Sequence, residues 1–271
     1  LPDRVIRRLY YARKFGRLPH LKNPELFTEL IQVRMLNDHS KQMAWTCDKL
    51  KMKEFARENT SNARIPETLW FGDNLADLCS RKLPLKWVLK PNHRSQAVYF
   101  GEGAPDLVQL AKSTRGWLRV YERAYFGEWA YREAKKCFLV EEHLGNGQVI
   151  NDYKFYVFGG VPRLIQVDSD RFSGHQRRFY TTEWQPLDYT NVFPMASVQE
   201  APGGLSKMLA AAADLGRTFD FIRVDLYEVH GTVYFGEITP YPEGGMKPFE
   251  PHSLDSELGG LWERAASSTP Q

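Results

Sequence analysis

The chain has 271 residues, 42% of them hydrophobic and 25% charged, with a formal net charge of +3. That length holds one generous core or two smaller ones, and the ordinary composition leaves no tract polar enough to stay disordered. So small a charge weakly favours anionic ligands such as nucleotides, and it excludes the dense basic footprint of a nucleic-acid binder.

Residues 1–60 read as helical. The basic start, with Arg4, Arg7, Arg8, Arg13 and Lys14 around Leu9, Tyr10 and Tyr11, has the make-up of a helix lying on a membrane surface; a solvated helix face is the reading adopted. Asn23-Pro24 pairs a capping residue with proline at the first helical position, and Leu26, Phe27, Leu30, Ile31 and Val33 follow at helical spacing. Asp48 is expected to cap a second helix carrying Leu50, Phe55 and Ala56.

From about residue 65 the texture changes to short strands, over 67–71, 85–90 and 97–100, before helical stretches near 105–113 and 116–125. Strands follow over 137–142, 153–158 and 163–168, the last two joined at Gly159-Gly160 as a hairpin. A helix over 204–215 stops at Gly216, and strands 221–229 and 232–238 flank a turn at His230-Gly231. Strands that pair locally, with helices in blocks, define an α+β chain with mostly antiparallel sheets.

The last hairpin carries the chemistry. Side chains two apart on a strand share a face, so Arg223 pairs with Asp225 and Glu237 with Thr239. A strict two-residue turn would set Asp225 opposite Gly236 and turn Glu237 away. An odd-numbered loop or a glycine bulge would put both carboxylates on one face. Carboxylates so close repel unless a cation lies between them, and Mg²⁺ is the hard ion that such oxygens bind alongside phosphate.

Arg-Val-Asp-Leu-Tyr, a short turn, then Tyr-Phe-Gly-Glu-Ile-Thr-Pro resembles the metal-binding hairpin of ATP-grasp enzymes, and more narrowly of the TupA-like ATP-grasp family of teichuronopeptide biosynthesis. The resemblance runs from about residue 20 through Asp48-Lys49, Val88-Leu-Lys-Pro-Asn-His93, Leu139-Val-Glu-Glu-His-Leu144, Asp152-Tyr-Lys-Phe, Asp170-Arg171, Trp184, Phe249, Asp255 and Leu258-Gly259. It implies an ATP-grasp fold: two α+β subdomains clasping ATP after a short helical N-terminal region. The expected bounds are 1–64 for that region, 65–142 for the lid subdomain and 143–271 for the C-terminal subdomain with the metal site.

The resemblance also distributes roles. Lys90 at a strand end and Lys49 at a helix start would meet the phosphates. Glu141, Glu142 and Leu144 would form the adenine hinge; the two glutamates alternate faces, and Glu142 is preferred in the cleft with Glu141 as the alternative. Lys154, Arg171 and Arg223 would serve the transferred phosphoryl group. Asp225, Glu237 and Thr239 would hold Mg²⁺. The implied activity joins a carboxylate, such as a uronic acid of a surface polysaccharide, to an amino acid or other amine through an acyl-phosphate. The rivals are a kinase on the same scaffold, and a glycosyltransferase whose Asp-x-Asp is imitated by Asp168-Ser-Asp170. Arg177 and Arg178 read as a solvated pair.

Two positions depart from the family pattern. The loop His93–Val98 carries Arg94 where small, glycine-rich residues are usual, and Thr239 replaces the usual asparagine two residues after the metal glutamate. Cys47, Cys79 and Cys137, odd in number and without metal-ligand spacing, read as reduced core thiols of a cytoplasmic protein. No apolar run of signal-peptide length opens the chain, and none predicts membrane insertion or a nucleic-acid partner.

Overall fold

A computed structural model describes residues 2–119, 127–170 and 174–268. Four helices come first: α1 (Asp3–Phe15), α2 (Phe27–Asn37), α3 (Lys41–Ala44) and α4 (Lys49–Asn59). Asp48 caps α4, its Oδ1 accepting from the amides of Leu50 and Lys51. Its second oxygen accepts from the Lys135 amide 87 residues on, so one side chain both starts the helix and ties it to the next layer.

The small sheet holds β1 (Thr68–Gly72), β2 (Lys86–Pro91), β3 (Tyr99–Glu102) and β4 (Phe138–Glu142), in the order β1-β4-β2-β3 and antiparallel throughout. One face packs Trp70, Trp87, Leu89, Phe138 and Val140 against Leu78 and Leu110, the latter from α5 (Leu107–Ser113). The other face carries Val88, Lys90, Leu139 and Glu141, as strand alternation requires.

The large sheet has β5 (Asp152–Phe158), β6 (Val161–Ser169), β7 (Gln176–Tyr180), β8 (Pro186–Leu187), β9 (Phe221–Val229) and β10 (Thr232–Thr239), in the order β10-β9-β5-β6-β7-β8. Both of its faces are covered. Phe155, Val157, Ile165 and Val224 meet α4 and a helix over Leu205–Gly216. Tyr156, Phe158, Leu164 and Phe221 meet α2 and the C-terminal helix Ser253–Ser268. This second face changes character along the strands. Its apolar half is core; the half at Asp152, Lys154, Asp168 and Asp225 is buried but charged.

Several expectations need correction. The helix expected from Asn23-Pro24 begins at Phe27, because its first amides are capped from a distance: Asp255 accepts from the Thr28 amide at 2.9 Å and from its hydroxyl at 2.7 Å. Residues 114–118 form turns rather than the start of a helix, and most of the 116–125 stretch lies outside the described residues. β7, β8 and the C-terminal helix were not anticipated. Cys47 and Cys137 are buried thiols, but Cys79 is exposed. Among the described residues, no helix is long and apolar enough to cross a membrane.

Candidate active site

β9 and β10 are joined by the two-residue turn His230-Gly231, both with positive φ (49° and 74°), the geometry that matches strand twist in tight hairpins. Phe235 accordingly pairs with Leu226. The register then shifts at Gly236, and Glu237 pairs with Asp225 and Thr239 with Arg223. The hairpin thus combines the tight turn with a bulge, and the bulge restores both carboxylates to one face. A Cβ at Gly236 would lie 2.8 Å from the Asp225 carbonyl oxygen and 2.9 Å from the Tyr227 ring, so the bulge requires glycine.

Asp225 is enclosed. Arg223 grips both of its oxygens at 2.7 Å, and Lys154 on the neighbouring strand donates at 2.9 Å. Lys154 also reaches Asp152 at 3.2 Å and lies 3.8 Å from Asp168. Arg177 on β7 takes Asp168 at 2.6 and 3.0 Å and extends to Glu243 at 3.3 Å. One line of alternating charge therefore crosses β9, β5, β6 and β7. Burial opposes ionisation of Asp225, Lys154 and Asp168, but opposite charges outweigh it. Arg223 and Lys154 hold Asp225 below the usual carboxylate range, and Asp152 and Asp225 raise Lys154. His175, Lys154 and Arg177 pull Asp168 far down.

Across from this array, Lys90 donates to Glu141 at 2.7 Å and Lys53 donates to its other oxygen at 2.6 Å. Lys49 donates to the Arg94 carbonyl oxygen at 2.6 Å, and burial lowers its pKa. Glu237 favours the charged forms of both Lys49 and Lys90, which places the carboxylate hairpin within electrostatic reach of the lysines. Of the hinge glutamates it is Glu141 that turns inward. Glu142 is exposed, reversing the preference drawn from the sequence, and the reason is that Lys53 and Lys90 both claim Glu141. Leu144 opens the turn that follows β4.

Burial would raise the Glu141 pKa, but Lys90 and Lys53 outweigh it and bring it from 4.5 to about 2. A lowered carboxyl pKa contributes stability that is fully present above the unfolded value and lost as pH falls through the folded one. About 3 kcal/mol should therefore disappear between pH 4.5 and 2. Melting temperature followed against pH checks this: Glu141→Gln should flatten the dependence in that window.

The Arg94 guanidinium donates to the Gly116 carbonyl oxygen at 3.0 Å. Arg171 lies outside the described residues. Thr239 accepts from Arg223 at 3.2 Å, so its hydroxyl is already engaged. Asp168 and Asp170 form no Asp-x-Asp pair, since Asp168 is bound by Arg177 and Asp170 is exposed at φ 52°.

Among the described residues, no three His, Cys, Asp or Glu side chains gather into a metal cage. Mg²⁺ does not need one, because it binds through one or two carboxylates and completes its shell with water and phosphate oxygens. Asp225 and Glu237, paired across the bulge, fit that requirement.

The loop after β10 is the Pro240–Gly245 stretch that the sequence sets beside the site as a flexible segment. Glu243, Gly244 and Gly245 are consecutively left-handed (φ 51°, 61° and 61°). Arg7 donates to the Gly244 carbonyl at 2.5 Å, and Gln32 donates to the Gly244 and Gly245 carbonyls, each at 3.1 Å. Together they hold a strained segment that delivers Glu243 to Arg177. Arg177, read from sequence as solvated, is buried; the available signal was its alternation with Phe179 in a five-residue strand. Lys53 carried the helical spacing to Lys49, one turn away.

Two antiparallel sheets, one bearing clustered lysines and the other a carboxylate hairpin, are the arrangement of an ATP-grasp fold. The chain belongs to the TupA-like ATP-grasp family, whose model matches residues 29–263. Among solved structures it is similar to an L-amino acid ligase from Bacillus licheniformis (15% identity, TM-score 0.54), covering 88% of this chain and 55% of that one. It is also similar to the D-alanine–D-alanine ligase of Bacillus anthracis (17% identity, TM-score 0.48), covering 85% and 69%. Comparison with curated proteins gives no match.

Proposed function

We propose that the chain is a carboxylate–amine ligase that works through an acyl-phosphate, joining a sugar acid of a surface polysaccharide to an amino acid. The observation that carries the reading is the glycine bulge that pairs Asp225 with Glu237 on the charged face of the large sheet. A substrate carboxylate oxygen attacks the γ-phosphorus of ATP, the bond to the β–γ bridging oxygen breaks, and ADP leaves. The amine nitrogen then attacks the acyl carbon, phosphate departs and the nitrogen loses a proton, leaving an amide.

In this reading Lys49 and Lys90 hold the phosphates as fixed cations, and Glu141 and Leu144 border the adenine. Lys154 and Arg223 fix Asp225 and face the transferred group, where developing charge is best met by groups already in place. Bound Mg²⁺, held by Asp225 and Glu237, would supply charge neutralisation for the phosphates. The family's link to surface polymers supports the sugar acid, and the array's cations suit a carboxylate.

The test is release of phosphate and formation of an amide, by mass spectrometry, with ATP, a panel of uronic acids and a panel of amino acids. Glu237→Gln should lower turnover by at least roughly 100-fold without changing the fold. A phosphoester formed without an amine would replace this reading with a kinase.

A further inference from the structure

Charge is unevenly spread along this chain. Residues 1–23 hold seven of its 36 Lys and Arg but one of its 33 Asp and Glu, a net +6 against −3 for the rest. Much of that charge surrounds α1, whose inward side is fixed by Arg7 and Tyr11, both buried. One turn apart on the opposite side, Val5 and Leu9 form an outward ridge, 40% and 56% exposed. Arg4 and Arg8, also one turn apart, lie beside that ridge and line a groove of about 380 Å³ with Leu18, His20 and Lys22. Leu18 is 49% exposed and Tyr10 46%. The single acid, Asp3, has Arg132 at 3.8 Å.

A solvated helix face carries its exposed apolar side chains singly. Here exposed aliphatic side chains stand among the cations, the pattern of an element lying at a bilayer interface: apolar residues sink into the acyl boundary while Lys and Arg meet anionic headgroups. A nucleic-acid surface would use the same charge but would leave Val5 and Leu9 without a role. The geometry points to α1 and the 18–22 loop as a docking surface for an anionic lipid bilayer, with the Arg4–Arg8 groove taking a lipid phosphate. The attachment is peripheral, since no described helix crosses a membrane, and it is independent of the reaction assigned to the cleft.

The 271-residue chain should float with vesicles made of equal parts phosphatidylcholine and phosphatidylglycerol, not with phosphatidylcholine alone, and high salt should release it. The double variants R4E/R8E and V5S/L9S should each weaken that binding roughly tenfold or more, with melting temperatures unchanged as proof of folding. The wild-type comparison of the two vesicle types tests the idea even if a variant misfolds. Equal binding to both vesicle types would overturn the proposal. So would undiminished binding by V5S/L9S, especially if a short DNA duplex competes, because that result marks a general polyanion surface.

Discussion

Asp225→Asn is expected to destabilise the protein by about 3–5 kcal/mol, the usual cost of removing one partner from a buried ion pair. Asp225 is 2% exposed and is the common acceptor for Arg223 and Lys154, so the neutral amide leaves two cations crowded in a dry site. A fall in Tm of roughly 10 °C should follow. Scanning calorimetry checks it, with Glu237→Gln as the comparison. Glu237 is only partly buried and stands outside the Arg223–Lys154 pairs, so that variant should melt close to wild type while losing the stabilisation brought by Mg·ATP. Equal melting losses in the two variants would contradict this division of labour, in which Asp225 maintains the array as well as facing Mg²⁺ and Glu237 serves the nucleotide alone.

The second large effect is expected from Gly236→Ala. The new methyl would sit against backbone and an aromatic ring, 2.8 Å from the Asp225 carbonyl oxygen, where no flexible side-chain end can move away. Relief requires the strand to shift, at about 1–3 kcal/mol for overpacking. A shifted strand also turns Glu237 from Asp225, since one residue of slip exchanges the faces. The Mg·ATP-induced rise in Tm should therefore vanish in this variant, although no charged group has been altered. An undiminished nucleotide response would mean that the bulge is not what aligns the site.

Much of the fold was legible because its signals are local. Alternation marked the strands of both sheets other than β7 and β8, Asp48 marked a helix start, and His230-Gly231 marked a hairpin. The register was legible only as a pair of alternatives. The choice between them lies in the contact of Gly236 with Asp225 and Tyr227, which no local pattern encodes. The start of α2 was misplaced for a related reason: its cap, Asp255, is supplied from 227 residues away. Lys53 escaped notice and Arg177 read as solvated because lysine and arginine are ordinarily at the surface. Their burial depends on Glu141 and Asp168 arriving from other strands. Glu141 and Glu142 alternate in any strand, and only the position of the lysines decides which one turns inward.

The Arg7 contact to Gly244 has a practical consequence for how far this chain can be shortened. The family model matches from residue 29, and a fragment cut there would retain both sheets and every residue of the carboxylate hairpin. It would lack the guanidinium that holds Gly244, leaving Gln32 as the side chain that still donates to the Gly244 and Gly245 carbonyls. Such a fragment should keep its sheets with a weakened α2 start, since Phe27 and Thr28 are cut away. It should present Glu243 loosely, so the smallest chain that folds and the smallest chain that works need not be the same.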